Sequence, residues 1–212
     1  GYEIWHNMGI YQRNLENFDE SPIMTNSMSD KNCMNCHSFP KNNSNTMLFH
    51  MRGKHAGTLI YRNGKLTKVN TKTDETISYG VYPAWHPNGR YVAFSTNTIM
   101  QFFHAVSFQK VEVIDTISDL VLYDAETNVI GKHAAIASKE RFETFPSWSP
   151  DGRYLYYCSA AALSSTNYQY QQIHYDLMRI AFDPDSRQFG AIDTVLSSAK
   201  TEFEIKVKRK IR

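Results

Sequence analysis

Long apolar runs are missing from this chain: no stretch reaches the roughly 18 residues that a membrane-spanning helix needs, so no helical span is expected. Cysteine is scarce as well. There are three in 212 residues, an odd number, and two of them fall within five residues of each other, which excludes a disulfide framework. An excess of charge of one sign is also lacking. The 23 basic and 21 acidic residues leave a net charge of +2, which gives no ground for a nucleic-acid or membrane-surface partner. The first nine residues have neither the basic start nor the apolar stretch of a signal peptide; an exported chain would have lost its signal ahead of Gly1. Hydrolase and metalloprotease motifs are absent too. There is no Gly-x-Ser-x-Gly elbow and no His-Glu-x-x-His helix, and Glu140, Glu143 and Asp176 stand singly, so the reading leans away from an enzyme.

What is present is aromatic and repetitive. Aromatic residues make up 13% of the chain, mainly 13 Tyr and 12 Phe, and these side chains favour strands. The run Tyr82-Pro83-Ala84-Trp85-His86-Pro87-Asn88-Gly89-Arg90-Tyr91 recurs as Phe145-Pro146-Ser147-Trp148-Ser149-Pro150-Asp151-Gly152-Arg153-Tyr154. Pro-Asn-Gly and Pro-Asp-Gly make tight turns, because Pro presets φ and Gly accepts positive φ. Each turn precedes a strand-like run, at residues 91–96 and 154–159, so each copy predicts a hairpin. Downstream, residues 119–124 parallel residues 176–180. A fainter first copy has Phe39-Pro40 and the polar residues 41–45 where the aromatic and turn belong. Strands are expected after it at residues 46–51, 57–61 and 65–69, with Asn63-Gly64 as a hairpin turn.

Four short strands in a repeated unit of about 60 residues predict the blades of an all-β propeller. The Trp-x-Pro-Asp/Asn-Gly-Arg-Tyr signature, over residues 33–196, resembles the TolB-like β-propeller repeat family. That resemblance implies a periplasmic scaffold that works through protein contacts. A β-hairpin of an ordinary sandwich is the plain alternative for each copy. Three blades are recognisable, fewer than a closed propeller needs, so the chain reads as part of a six- or seven-bladed propeller or as one completed by assembly. Open blade edges would invite pairing with a second copy. Residues 1–32 form an N-terminal segment, 33–200 the blades, and 201–212 a tail or a strand of a next blade.

Residues 33–37 read Cys-Met-Asn-Cys-His, the attachment signature of haem c. Two thiols three positions apart can reach the two vinyl groups on one porphyrin edge, and the adjacent imidazole then meets the iron. Cys33 and Cys36 are the expected thioether residues and His37 the expected axial ligand. A zinc site and a thioredoxin-like pair are the competing readings. The first lacks a second Cys pair or a His-x-x-x-His partner, and the second lacks a strand-to-helix context. Covalent haem attachment takes place outside the cytoplasm, which points to the periplasm or another exported compartment and to a periplasmic or cell-surface protein partner.

The motif is expected immediately before the first strand of its blade. It would then open on the same end as the connections at residues 97–118 and 160–175, read as long loops. The sixth iron ligand is sought at that end. His50 ranks first, because the other copies have Ser95 and Cys158 in its place; Met51 and His55 follow, with His104 and His174 as distant options. His6, His86 and His133 read as structural, and Cys158 as a small buried hydrophobe. A TolB-like protein-binding scaffold without haem is the alternative function.

Overall fold

Strands and short 3-10 turns account for all the regular structure in the computed structural model, which describes residues 7–106, 109–162 and 172–200. His6, the middle of the 160–175 connection and the tail from residue 201 lie outside them. The described residues form fourteen strands: β1 (Gly9–Arg13), β2 (Glu20–Thr25), β3 (Met34–Ser38), β4 (Thr46–Met51), β5 (Gly57–Arg62), β6 (Lys65–Val69), β7 (Val81–Trp85), β8 (Tyr91–Val106), β9 (Gln109–Asp124), β10 (Val129–Lys132), β11 (Arg141–Trp148), β12 (Tyr154–Ala161), β13 (Asp176–Asp183) and β14 (Gln188–Leu196). After the β1–β2 hairpin come three antiparallel four-stranded meanders, β3–β6, β7–β10 and β11–β14: three propeller blades. No helix among the described residues is long and apolar enough to cross a membrane.

The turns form as their residues dictate. Asn63 and Gly64 both take positive φ, +48° and +82°, as a two-residue type I′ hairpin requires. Gly89 and Gly152 close equivalent turns by donating to the carbonyls of His86 and Ser149, each at 2.9 Å.

Successive blades pack face to face. In β4, Leu48 points toward the second blade while Met47, Phe49 and Met51 point the other way, as strand alternation demands. At the first junction Leu48, Ile60 and Val69 meet Val92, Phe94 and Val121. At the second, Ala93 and Leu120 meet Leu155, Tyr157 and Ile180. Fully burying one such side chain contributes roughly 1.5–3 kcal/mol. The outer face of the first blade is covered by the N-terminal hairpin, where Met24 joins Met34, Met47, Phe49 and Met51, flanked by Met8, Ile10 and Ile23.

One feature recurs in all three inner strands. Asn35 pairs with His50 and Ser38 with Leu48, so Cys36 and His37 together stand against Phe49. Val81 and Ala84 pair with Ser95 and Ala93, and Thr144 and Ser147 with Cys158 and Tyr156, leaving the same two-against-one bulge. The first bulged residue has positive φ each time: Cys36 +55°, Tyr82 +50° and Phe145 +55°. None is glycine, so the packing must hold a strained backbone in place.

Two expectations are corrected. The Cys-Met-Asn-Cys-His segment does not precede its first strand: Cys33 leads directly into it and Met34 to His37 lie within it, and the bulge at Cys36 breaks the alternation that would have marked a strand. The 97–118 connection is a ribbon and not a loop: β8 and β9 stay paired outward from the blade, with Thr98 opposite Ile117 and Phe103 opposite Val111.

Candidate functional site

The start of β3 is anchored from both sides. Asn26 donates its amide to the Asn32 carbonyl at 2.8 Å, and the Lys54 N–H donates to Asn32 Oδ1 at 2.9 Å. The Arg52 N–H donates to the Cys33 carbonyl at 2.7 Å. Cys33 therefore sits where the 52–56 connection folds back over the first strand. The pairing of Met34 with Met51 and of Val81 with Ser95 fixes the orientation. The Cys33 end of β3 is the end from which the β8–β9 ribbon projects, as the repeat alignment anticipated.

In an unbroken strand, residues 33 and 36 would project from opposite faces. The bulge interrupts that alternation at Cys36. Both cysteines are half-buried free thiols. Burial pushes the Cys33 thiol up, the Arg52 guanidinium pulls it back down, and Cys36 raises it again. His37 is exposed, its ring edge-on to Phe39 at 6.1 Å.

The candidate sixth ligands are scattered. His50 is 5% exposed, lies at the first junction with its ring 5.8 Å from that of Tyr79, and leaves Nδ1 with no hydrogen-bond partner. Burial first, and Arg52 second, hold its imidazole neutral by lowering its pKa to about 4. Met51 points to the opposite face, into the methionine-rich cluster under the N-terminal hairpin. His55 pairs with Asp30 at 2.8 Å. His104 lies on the ribbon, 3.1 Å from Glu112, and His174 is exposed. No group of three or more His, Cys, Asp or Glu residues suited to a metal ion occurs among the described residues. The donors present, two free thiols beside an exposed imidazole, match what covalent haem attachment requires, since a porphyrin is held at its rim and at its iron and not by one convergent cage.

The orphaned Nδ1 has a local cause. At the second junction the residue equivalent to His50 is Ser95, whose hydroxyl accepts the Phe145 N–H at 3.0 Å and lies 3.3 Å from the Thr144 hydroxyl. At the first junction Val81 stands where Thr144 stands and offers no hydroxyl. Arg52 and Asn35 went unnoticed in the sequence. With its amide oxygen turned toward Arg52, Asn35 accepts from Nε and Nη2 at 3.0 and 3.1 Å, which fixes the guanidinium beside Cys33 and His50. No periodicity or motif marks that pair.

The histidines read as structural are so where described. His86 takes the Asn88 N–H on Nδ1 at 3.1 Å and donates from Nε2 to the Gly152 carbonyl at 2.9 Å, tying one turn to the next. His133 accepts the Ala135 N–H and packs on Phe189. Cys158 is half-buried, and burial raises its thiol.

No family model matches the sequence, and no curated protein does. Solved structures do. An ancestral GH74 enzyme superposes with a TM-score of 0.52 at 12% identity, over 91% of this chain and 23% of its own. TolB from Acinetobacter baumannii gives 0.34 at 11% identity, over 89% of this chain and 49% of its own. The oligogalacturonate lyase of Vibrio parahaemolyticus gives 0.37 at 11% identity, over 86% and 58%. The chain thus spans about a quarter of the GH74 enzyme and about half of TolB. The GH74 likeness bears on the fold alone, and the fold is that of propeller blades.

Proposed function

We propose that this chain is an exported, haem-c-binding module for electron transfer, carried on a TolB-like propeller scaffold. The observation that carries the reading is the pairing of two free, half-buried thiols, Cys33 and Cys36, with the exposed imidazole of His37 next to them. Cys33 and Cys36 would form the thioethers and His37 the axial bond. Bound there, haem c would supply one-electron transfer.

The chain's own residues have defined parts in this reading. Arg52, held by Asn35, favours the thiolate of Cys33, the form in which a sulfur reacts. The bulge places Cys36 and His37 together opposite Phe49. His50 stays first among the sixth-ligand candidates, because its imidazole is neutral and Nδ1 has no partner in the protein. A second histidine on the iron would favour a low potential, whereas methionine would raise it.

Production with an export signal and a haem-attachment system tests the reading. The expected product keeps its Soret band in sodium dodecyl sulfate and loses it in the Cys33→Ala/Cys36→Ala variant. No such band in the wild-type chain contradicts the proposal. One observation favours a second reading, a protein-binding scaffold without haem. The ribbon projects from the motif-bearing end and displays Phe103, 76% exposed, opposite the exposed Val111. Partner capture unchanged by the double cysteine variant would select it.

A further inference from the structure

The two junctions between blades are built to one plan. The Trp85 indole N–H donates to the Ser38 carbonyl at 3.3 Å, and the Trp148 indole N–H to the Ala84 carbonyl at 3.1 Å. Ser38 and Ala84 are equivalent, each being the first paired residue after the bulge. Strand register carries the equivalence to the turn end. Arg62 pairs with Thr46 and Lys65 as Asp124 pairs with Tyr91 and Val129. Ile60 opposite Thr67 likewise matches Leu122 opposite Gly131.

Beside these residues each junction opens into a cleft. The first, of about 400 Å³, is lined by Ile60, Arg62, Lys65, Thr67, Tyr123 and Asn128, among others. The second, of about 170 Å³, is lined by the matching Leu122, Asp124, Val129 and Gly131, with Arg187 from the third blade. Arg187 has the place of Asn128. Each is the last residue before its blade's fourth strand, and their φ values are +60° and +59°.

The second cleft holds its own ion pair. Arg187 reaches across to the Asp124 carboxylate at 3.1 Å, and Arg90 meets the same carboxylate at 2.7 Å. The first cleft has the cation without the anion. Arg62 stands in the place of Asp124 and Asn128 in that of Arg187, while Lys65 adds a second positive charge. No described Asp or Glu lines this cleft, and neither Arg62 nor Lys65 makes an ion pair with a described residue. The carboxylates on either side of Ala125, those of Asp124 and Glu126, are both held by Arg90.

The rest of the lining suits a ligand with one charged end. Asn128 accepts the Tyr123 hydroxyl on Oδ1 at 2.9 Å, which leaves its amide N–H groups to the cleft. Ile60, Val69 and Tyr123 are buried and give an apolar wall. A planar guanidinium meets a carboxylate with two parallel hydrogen bonds. The volume lies within the roughly 300–1,000 Å³ of small-molecule sites.

We infer that the first cleft binds a small organic carboxylate, its charged head on Arg62 and Lys65 and its apolar body against Ile60, Val69 and Tyr123. The ligand supplies the anion that Asp124 supplies at the second junction. Thr46, the partner of Arg62, lies roughly 16 Å along β4 from Met51, the partner of Met34. The site is therefore apart from Cys33 and does not rest on the haem reading; either can fail without the other.

Calorimetric titration of the purified chain with benzoate tests the site. Benzoate should bind saturably. Benzamide, of the same shape without the charge, should bind about tenfold more weakly, one charge-assisted hydrogen bond's worth. Arg62→Gln should weaken benzoate by about the same factor. Asn128→Asp should abolish its binding by setting a carboxylate against Arg62, the mirror of Asp124 against Arg187. Lys68→Gln, on the same strand as Lys65 but outside the cleft, should leave the affinity unchanged. No saturable heat with benzoate, equal affinity for benzamide, or unchanged affinity in Arg62→Gln overturns the inference. So does inorganic phosphate binding as tightly as benzoate, since the apolar wall would then contribute nothing.

Discussion

The two junctions between blades share a plan and differ in material. The first is filled by Leu48, Ile60, Val69, Val92 and Phe94, and the buried His50 beside them has a nitrogen without a partner. The second replaces Leu48 with Ala93 and makes up the difference with polar bonds. Ser95 bridges to Thr144 and Phe145, Ser118 donates to the Glu143 carbonyl at 2.6 Å, His86 reaches Gly152, and Tyr91 reaches Pro184. Apolar filling tolerates small shifts because it has no direction, whereas hydrogen bonds fix one geometry and cost free energy when one partner is lost. The difference teaches that the first junction is permissive where His50 lies and the second is rigid.

The largest expected contrast comes from the two turn glycines. Gly89 and Gly152 have nearly the same φ, +76° and +75°, but open space surrounds a Cβ at Gly89 while one at Gly152 would run into His86 Nε2. Gly152→Ala should therefore cost about 3–4 kcal/mol in denaturant unfolding, backbone strain plus collision, and Gly89→Ala about 1 kcal/mol. Equal costs would mean that His86 does not stiffen the second junction.

Titration gives the next contrast, and the two junctions respond in opposite directions. His50 has its ordinary pKa of 6.5 lowered to about 4, by burial first. Between those values only the unfolded chain gains the proton, so stability falls as pH drops from 6.5 to 4. Glu143, buried at the second junction, has its ordinary 4.5 raised to about 7, by burial first and by Asp119, against pulls from the Ser138 N–H and Arg141. Only the unfolded chain loses that proton over this range, so stability falls as pH rises from 4.5 to 7. Each effect is worth about 2–3 kcal/mol and the two nearly cancel between pH 4.5 and 6.5. Glu143→Gln should uncover the loss of stability in acid, and His50→Gln should uncover a gain on acidification. Urea midpoints across pH 4–8 would show both, and parallel profiles for the two variants would contradict the assignment.

The smallest effect tests what the junctions share. Trp85→Phe and Trp148→Phe each remove one indole bond, so each should cost about 1 kcal/mol, and by nearly the same amount. Unequal costs would deny the equivalence of Ser38 and Ala84 as acceptors.

Much of this was legible in the chain. The twin Pro-Asn/Asp-Gly turns, Asn63-Gly64 and the second to fourth strands of the first blade follow from local chemistry and lie where the sequence puts them. The ribbon was missed because residues 97–118 sit outside the repeat, although Val111, Val113 and the Thr and Ile residues around them carry a strand's alternation. The place of the motif inside β3 was hidden because the bulge disturbs that alternation. Aligning Cys36-His37-Ser38-Phe39 with Tyr82-Pro83-Ala84-Trp85 would have revealed it. The isolation of Met51 from His50 follows from strand parity. The Arg52–Asn35 pair depends on side-chain packing that no spacing encodes.

The most direct test is the mass of the tryptic peptide spanning Cys33 and Cys36, taken from protein purified from its own cell. The account predicts that peptide with one haem added and both sulfurs blocked to alkylation. The bare peptide mass with two alkylatable thiols would contradict it.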